Sequence, residues 1–375
     1  MRADVNAVVG GLLRDVAFAQ TSRQQMFGYK RAAAVILSLE HPLTDLIQSN
    51  RTLVKIPGIG PASSRIIIEV LDSGTSETVE RIVEASPKAA DIRRRRALRS
   101  HFLSRAETLR ILDDHSYGGP HPSDYRCDLQ LHSEWSDGVP TLDDIAEACV
   151  ARGYSHAAVT DHSHGLKIAG GMSMEDAAAQ HQAIDRVNAA YRGRFQMIRG
   201  IEANIGRDGQ LDLSPEEAGR FELVLAAPHS KLRSADDQTD RLITAIRTPY
   251  VGILAHPRGR ISGSRAGIVA DWDAIFSEAA RGGVAVEIDG DPARQDLDYT
   301  LAARALGAGC LFALDSDAHT TSQLHYAETA LAHARLAGIP PDRIINCWRV
   351  DRLLEWLSQR ASSYAGRSKL SVIGD

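Results

Sequence analysis

Histidines and carboxylates recur in this chain directly after short apolar runs. The first instance is CDLQLHSEWSDG, residues 127–138, in which an alternating apolar pattern is followed by His132 and Asp137. Imidazole nitrogens combined with carboxylate oxygens, without thiolates, suit Zn²⁺, Mn²⁺ or Fe²⁺, whereas Mg²⁺ prefers a nearly all-oxygen site. Taken along the chain, the candidate metal ligands are His132, Asp137, His162, Glu202, His229, His256, Asp317 and His319.

These ligands exceed what one catalytic ion requires, which is about three protein ligands and one open position. The sequence therefore predicts two or three divalent ions, with Zn²⁺ or Mn²⁺ favoured. Such a cluster lowers the pKa of a bound water to generate hydroxide, and it stabilises the oxygens of a phosphoryl group in its transition state. We predict phosphate ester hydrolysis, with Glu202, Asp317 and His319 as catalytic residues.

Basic residues follow the same apolar runs and could bind a phosphate beside the ions. They lie in the segments PHSKLR, HPRGR and GDPARQD. Although most surface arginines are simply solvated, a guanidinium can donate two hydrogen bonds to one phosphate. We predict substrate-binding roles for Lys231, Arg260 and Arg294, and for Arg260 a catalytic role as well.

The spacing of apolar residues divides the chain into two parts. Three- and four-residue intervals, as in VNAVVGGLLRDVAFA, predict an all-α domain over residues 1–115. After the Gly/Pro-rich linker SYGGPHPSDYR, seven apolar runs alternate with amphipathic helices, which predicts a second domain over residues 125–360. Seven β-then-α units favour an α/β fold with a parallel (β/α)7 barrel, and a doubly wound open sheet is the alternative. In a barrel, the carboxyl ends of the strands would bring the candidate ligands together.

Composition favours an ordinary globular protein, since 43% of the 375 residues are hydrophobic and 24% are charged. No apolar run approaches the roughly 20 residues of a membrane span, and no signal-peptide pattern is present, so we predict a cytoplasmic protein without a membrane partner. The oligomeric state stays open. Residues 1–122 carry 17 basic and 13 acidic residues and the rest 26 and 35. This asymmetry hints at a polyanionic partner for the first part and at cation binding in the second.

The apolar runs and their polar ends together resemble the polymerase and histidinol phosphatase family, the PHP domain. The segments DLQLHSEWSDG, VTDHS, GIEANI, PHSKL, LAHPRGR and DSDAH carry this resemblance, in the family's order, over about residues 126–360. The resemblance implies a distorted seven-stranded barrel with a mostly trinuclear metal site. It also implies three sets of ligands: His132, Glu202 and Asp317; Glu202, His229 and His256; and Asp137, His162 and His319.

This sequence departs from the family pattern at Gln130. The family usually has His-x-His where this chain has Gln130-Leu131-His132. A neutral amide oxygen is a poorer ligand than imidazole for these metals. We therefore expect Gln130 to be a weak ligand of the first ion, or to leave its place to a water. All other expected ligands are present, so we do not interpret the site as inactive.

In the first part, VKIPGIGPASSRIIIEVLDSG, residues 54–74, resembles a helix-hairpin-helix motif. The turn Gly58-Ile59-Gly60 would let backbone N–H groups approach a DNA phosphate, a contact independent of base sequence. Because MFGYKRAAAVI just before it is similar to the N-terminal domain of X-family DNA polymerases, the whole order resembles a bacterial X-family polymerase without its nucleotidyl-transfer domains. The arginine run 93–96 is either a solvated helix face or a phosphate-binding strip, and its position favours the strip.

These features predict a metal-dependent DNA phosphoesterase that contacts the DNA backbone and acts as a 3′→5′ exonuclease or in 3′-end processing during repair. One alternative is a small-molecule phosphatase of the histidinol phosphate type. Another is a non-catalytic DNA-binding protein, for which Gln130 is the only support.

Overall fold

The computed structural model describes residues 4–49 and 51–371. Two compact units divide the chain, the first comprising Met1–Asp114 and Ile261–Ser264 and the second His115–Arg260 and Arg265–Asp375. No helix among the described residues is long and apolar enough to cross a membrane.

Helices make up the first unit. Polar side chains begin several of them, as where Asp4 accepts a hydrogen bond from the N–H of Ala7, because the first amides of a helix lack partners within it. The apolar helix faces enclose a core that includes Leu13 and Ile36. The helices are α1 (Val5–Ala19), α2 (Arg23–Ser38), α3 (Pro61–Ser73), α4 (Glu77–Glu84), α5 (Ala89–Ala97) and α6 (Arg105–Asp113).

The stretch before α3 differs in part from a helix-hairpin-helix motif. Gly58 has a φ of 85°, a left-handed conformation that favours glycine, and α3 begins three residues later at Pro61. In place of the expected first α-helix, the described residues form a short 3-10 helix, Leu43–Leu46, and an antiparallel bridge between Ile47 and Leu53. A glycine turn and the helix α3 are therefore preceded by an irregular element.

The second unit is built on a parallel sheet, which confirms the predicted α/β class. Its strands lie side by side in chain order: β1 (His156–Val159), β2 (Gln196–Asn204), β3 (Leu223–Ala227), β4 (Val251–Leu254), β5 (Ala285–Asp289) and β6 (Leu311–Asp315). Each strand pairs in parallel with the next. The helices are α7 (Leu142–Ala151), α8 (Met174–Ala190), α9 (Pro215–Ala218), α10 (Thr239–Arg247), α11 (Trp272–Gly282), α12 (Tyr299–Gly307), α13 (Ala327–Leu336) and α14 (Val350–Ser371).

The predicted seventh strand, RCDLQLH, is not a regular strand in the described part of the chain. Residues 126–132 do lie between β1 and β6, because the N–H of Ala158 donates to the carbonyl of Asp128 (2.9 Å) and the N–H of His132 donates to the carbonyl of Ala318 (2.9 Å). However, three consecutive N–H groups of this segment donate to side-chain oxygens: Leu129 to Asp315, Gln130 to Asp128 and Leu131 to Thr160. A regular ladder needs those donors for neighbouring carbonyls. The prediction of seven strands was therefore wrong by one.

Asn346 joins residues 126–132 to β6. Its fully buried side chain donates from Nδ2 to the carbonyls of Cys127 (3.1 Å) and Leu314 (2.9 Å) and to Asp315 Oδ1 (2.8 Å). Its Oδ1 accepts a hydrogen bond from the N–H of Leu314 (2.7 Å). One amide group thus replaces part of the missing strand ladder at this seam.

We expect Asn346→Ala to lower the free energy of unfolding of the second unit by about 3 kcal/mol, because buried backbone groups lose their partner and a cavity remains. Urea unfolding followed by tryptophan fluorescence measures this change, since all four tryptophans lie after residue 115. Gln182→Ala, at an exposed position of α8, is the control and should leave the midpoint unchanged. An unchanged midpoint for Asn346→Ala would contradict the role of this side chain at the seam.

Candidate metal centre

The candidate metal ligands lie at the carboxyl ends of the strands or in the loops that follow them. Because the strands are parallel, these ends meet at one side of the sheet. The ligands are His132 and Asp137 after the seam segment, His162 after β1, Glu202 in β2, His229 after β3, His256 after β4, and Asp317 and His319 after β6.

Glu202 lies at the middle of this cluster and is fully buried. Its Oε1 is 2.8 Å from His256 Nε2 and 3.3 Å from His229 Nε2. Its Oε2 is 3.1 Å from His162 Nδ1 and 3.3 Å from His132 Nε2. Burial alone would raise the pKa of Glu202, but the imidazoles of His162 and His229 hold that pKa well below its usual range. An ionised carboxylate in contact with four imidazoles is suited to bridge two cations.

A second group of ligands surrounds Asp137, on the solvent side of the cluster. Asp137 Oδ1 lies 3.3 Å from His319 Nε2, 3.6 Å from His162 Nε2 and 3.8 Å from His132 Nδ1. The side chains of Asp137 and His319 are 35% and 29% exposed, whereas those of His132 and Glu202 are fully buried. The cluster therefore opens to solvent beside Asp137 and His319.

Asp317 connects the cluster to a guanidinium. Its Oδ1 lies 3.1 Å from His132 Nε2, and its Oδ2 lies 3.3 Å from Arg294 Nη2. Although burial would raise the pKa of Asp317, Arg294 and His132 hold it well below its usual range. Burial lowers the pKa of His132, but Asp317 and Glu202 outweigh that effect and raise it to about 9. A cation that binds here therefore displaces a proton from His132.

The arrangement fits divalent cations. Three groups of side chains could each hold an ion, because the ligand atoms within each group lie within 4.8 Å of one another. In the described part of the chain, His162 Nδ1 and Glu202 Oε2 are buried and make no hydrogen bond, although they are only 3.1 Å apart. Two such atoms without hydrogen-bond geometry are expected where both point at a shared cation. Nitrogen and carboxylate donors without thiolate suit Zn²⁺ or Mn²⁺.

The groups differ in part from the sets that the family resemblance implies. His162 lies with Glu202 and His229, where His256 was expected. His256 contacts the cluster through Glu202 Oε1. The groups in the structure are His132, Asp137, His162 and His319; His162, Glu202 and His229; and His132, Glu202 and Asp317.

Hydrogen bonds to the Nδ1 atoms of His229 and His319 orient these two imidazoles. His229 Nδ1 lies 2.6 Å from Asn204 Oδ1, and the Asn204 amide donates to Asp212 Oδ2 (2.7 Å). Because Asn204 Oδ1 can only accept, Nδ1 of His229 carries the proton and Nε2 is left to face Glu202. The carbonyl of Asp317 does the same for His319 Nδ1 (2.8 Å).

Asp161 shapes the loop that carries Asp137. Its buried carboxylate accepts hydrogen bonds from Ser133 N–H (2.8 Å), from the hydroxyls of Ser133 and Ser136, and from Gln180 Nε2 (2.6 Å). These contacts fix residues 133–136, which precede Asp137 directly. This role of Asp161 was not predicted from the sequence. A signal for it was present in the sequence, because the charged Asp161 directly follows the apolar run before His162.

Gln130, which was predicted to be a weak metal ligand, faces Glu287 instead. Both side chains are fully buried, and the Gln130 amide lies against the Glu287 carboxylate. Because carboxylate oxygens accept hydrogen bonds, we assign the amide nitrogen, and not the amide oxygen, to the side facing Glu287, where it donates to Oε2 at 3.1 Å. Glu287 and Asp289 were not predicted as site residues, although two carboxylates in the apolar run VAVEIDG were a signal for buried charge. Burial raises the pKa of both groups well above the usual range.

Arg260, for which catalytic and substrate-binding roles were predicted, is held by oxygens of the loop that carries Arg294. It is 4% exposed, and its Nε donates to the carbonyls of Arg294 and Gln295 (both 3.0 Å). Its Nη1 donates to Asp298 Oδ2 (3.2 Å). A guanidinium buried among carbonyl oxygens anchors the loop that carries Arg294. Arg294 itself contacts the candidate ligand Asp317.

Lys231, the third predicted substrate-binding residue, is exposed in the loop after His229. Among the described residues, no ion pair connects it to the cluster.

The predicted DNA-binding residues lie in the first unit. Gly58 and Gly60 are exposed and Ile59 is half-buried. The N–H of Ile59 donates to the carbonyl of Ile56 (3.1 Å), and the carbonyl of Gly60 accepts the first hydrogen bond of α3 from Ser64 N–H (2.9 Å). The turn therefore presents its backbone to solvent.

The arginine run in α5 is not a continuous phosphate-binding strip. Arg96 lies 2.6 Å from Asp15 and 2.9 Å from Glu80, and Arg95 stacks 4.1 Å above the ring of Phe18. The two preceding arginines are exposed. Half of the run therefore stabilises the first unit.

Comparison with known proteins gives the following similarities. A family model for the PHP domain matches residues 128–257. Over 220 residues the chain is 34% identical to the DNA polymerase/3′-5′ exonuclease PolX of Bacillus subtilis, a match that covers 58% of this chain and 38% of that protein. Over 248 residues it is 30% identical to the probable phosphatase YcdX of Escherichia coli O81, covering 63% of this chain and 95% of the phosphatase.

Solved structures include a histidinol phosphate phosphatase from Lactococcus lactis complexed with zinc, L-histidinol and phosphate. It is 15% identical, with a TM-score of 0.43, and the match covers 56% of this chain and 94% of that one.

We expect added Zn²⁺ or Mn²⁺ to raise the unfolding temperature of the second unit, because an ion at 100 times its Kd stabilises the folded state by about 2.7 kcal/mol. Glu202→Gln should remove most of this rise, since the carboxylate in contact with four imidazoles loses its charge. Scanning calorimetry with and without chelator measures both. Glu216→Gln, whose side chain is 88% exposed, is the matched control. An equal metal-dependent rise in Glu202→Gln and the wild type would contradict a metal centre at Glu202.

Proposed function

The chain belongs to the PHP domain family, and on this basis we propose that it is a cytoplasmic metal-dependent phosphoesterase that acts on DNA. We propose that it removes nucleotides as a 3′→5′ exonuclease, or processes 3′ ends, with Zn²⁺ or Mn²⁺ as cofactor. The observation that carries the phosphoesterase proposal is the buried Glu202 carboxylate in contact with four imidazoles.

Divalent ions held by this cluster would supply a hydroxide nucleophile and neutralise charge on the phosphate. The side chains determine from which side the ester approaches. Glu202 and His256 are buried and exclude water from the inner side, whereas Asp137 and His319 are partly exposed. A phosphate ester therefore approaches beside Asp137 and His319.

Arg294 places a positive charge next to the ligand Asp317. Its side chain is 26% exposed and contacts the carboxylates of Asp317 and Asp289. Burial lowers its pKa, but these carboxylates raise it well above the usual value, so the guanidinium stays charged. A charged guanidinium that reaches the opening can donate to a non-bridging phosphate oxygen and hold it in place for attack.

Support for DNA as the substrate comes from the first unit and from one relative. The turn at Gly58 presents backbone to solvent ahead of α3, as a sequence-independent phosphate contact requires. The basic excess over residues 1–122 favours a polyanion. The relative from B. subtilis is named a polymerase and a 3′-5′ exonuclease. The first unit would hold the DNA backbone while the second hydrolyses the terminal ester.

A small-molecule phosphatase is the second candidate, because the match to the probable phosphatase covers 95% of that protein's length. A non-catalytic role rests on Gln130 alone. The pairing of Gln130 with Glu287 offers that residue a role other than metal binding, so we favour the two catalytic candidates.

We expect the purified protein to shorten end-labelled duplex DNA with a recessed 3′ end stepwise when Mn²⁺ or Zn²⁺ is added. A time course on a sequencing gel measures this. Asp317→Ala should reduce cleavage to background and retain DNA binding, because it removes a ligand and the anchor of Arg294 without changing the first unit. Cleavage by a clean Asp317→Ala preparation would contradict the assignment.

A substitution in the first unit separates the two candidate functions. Gly58→Val places a β-branched residue at a φ of 85° with Val35 only 3.3 Å from the new Cβ, so it should distort the turn and weaken DNA cleavage at least about tenfold. Hydrolysis of p-nitrophenyl phosphate should not change. Gly28→Ala in α2, with open space around the new methyl group, is the control. Equal DNA cleavage by Gly58→Val and the wild type would favour the small-molecule phosphatase.

A further inference from the structure

We propose that Glu287 is a positioning residue that holds His256 in place for the metal centre, and that Gln130 anchors Glu287 and is not a metal ligand. This inference rests on the proposed metal-dependent function. It assigns a role to two fully buried polar residues that the hydrolytic mechanism does not otherwise use.

The backbone of His256 needs an external partner. Strand β4 ends at Leu254, and the N–H of Ala255 still donates to the carbonyl of Ala226 (3.0 Å) in the neighbouring strand. At His256 the φ angle is 26°, which residues with a side chain rarely adopt. Here the backbone N–H leaves the ladder and donates to the carboxylate of Glu287 on β5. Glu287 thus takes the place of a strand carbonyl where the chain turns.

This backbone contact determines the direction of the imidazole. His256 Nε2 lies 2.8 Å from Glu202 Oε1. Within the described residues, His256 Nδ1 is buried without a hydrogen-bond partner, whereas Asn204 fixes the ring of His229. Among the described residues, the His256 ring has no second hydrogen bond, so its direction is set by the backbone that Glu287 holds and by its edge contact with the ring of His229, 5.3 Å away between centroids.

Gln130 provides a second contact to this carboxylate. Its amide nitrogen faces both oxygens of Glu287. An amide nitrogen has no free electron pair for a metal, so the atom that Gln130 presents to Glu287 is a donor and not a ligand. Two hydrogen bonds therefore connect Gln130 to the centre. The Gln130 amide donates to the Glu287 carboxylate, and that carboxylate accepts from the N–H of the candidate ligand His256.

The experiment measures the affinity of the full chain for Zn²⁺ by competition with a chelator. Glu287→Leu should lower the affinity for the ion next to His256 by about 10- to 100-fold, which is the usual effect of losing a group that orients a ligand. Glu287→Gln should stay within about threefold of the wild type, because its amide oxygen accepts from His256 N–H and its amide nitrogen can donate to a reversed Gln130 amide.

A double-mutant cycle tests whether Glu287 acts through His256. If it does, Glu287→Leu adds nothing to the loss caused by His256→Ala. Additive losses, wild-type affinity in Glu287→Leu, or equal losses in Glu287→Gln and Glu287→Leu would each overturn the proposal. Circular dichroism of the metal-free variants checks folding. If Glu287→Leu does not fold, Gln130→Leu combined with His256→Ala completes the same cycle.

Gln130 is tested in the same way. Gln130→Leu should weaken Zn²⁺ binding, and that effect should vanish in the Glu287→Leu background. A loss that persists there would show that Gln130 is a ligand. The titration needs no substrate, so its outcome is independent of the proposed reaction. If the variants are coupled in the mutant cycles but the protein hydrolyses no phosphate ester, this inference is supported and the proposed function is refuted. If the protein hydrolyses the ester but the variants are not coupled, the function is supported and this inference is refuted.

Discussion

The second unit depends on one buried charge, the carboxylate of Glu202. Moving an ionised carboxylate out of water costs several kcal/mol even after the protein relaxes, so its surroundings must compensate. Four imidazoles reach it from the ends of four different chain segments, and the ions that fit the cluster would add further positive charge. Parallel strands are a direct way to deliver so many ligands to one carboxylate, because consecutive strands end at the same side of the sheet.

A single buried carboxylate also explains why the surrounding polar residues form ordered networks. Each imidazole must present a nitrogen to the centre, so its other nitrogen or its backbone has to be held elsewhere. Asn204 does this for His229, and the carbonyl of Asp317 does it for His319. Arg294 balances the charge of the buried Asp317 carboxylate.

The parts of this site that could be predicted from the sequence are those that a local pattern determines. A polar residue directly after an apolar run marks the end of a strand, and the histidines and carboxylates found in this way meet in the structure. Partners far apart in the sequence leave no such mark. Asp161 with Gln180, and Gln130 with Glu287, are known only once the fold brings them together. For the same reason the sequence could not tell that Arg260 turns inward to carbonyls whereas Arg294 reaches Asp317. The prediction of a seventh strand was wrong because the backbone N–H groups of residues 129–131 donate to side-chain oxygens and not to a neighbouring strand.

The seam between residues 126–132 and β6 has a consequence for the order of assembly. Strands β1 to β6 each pair with the next one along the chain, so most of the sheet grows through neighbouring contacts. The seam instead joins residues up to 219 positions apart, through Asn346 and Asp315. Contacts across such separations are entropically the slowest to form. We expect the contacts of His132 with Asp317 and Ala318, beyond β6, to form last, whereas the same segment can pair earlier with the nearby strand β1. A chain still emerging from the ribosome would then carry most of the metal ligands in place while the centre stays open, and the centre would close only after Asn346 has been synthesised.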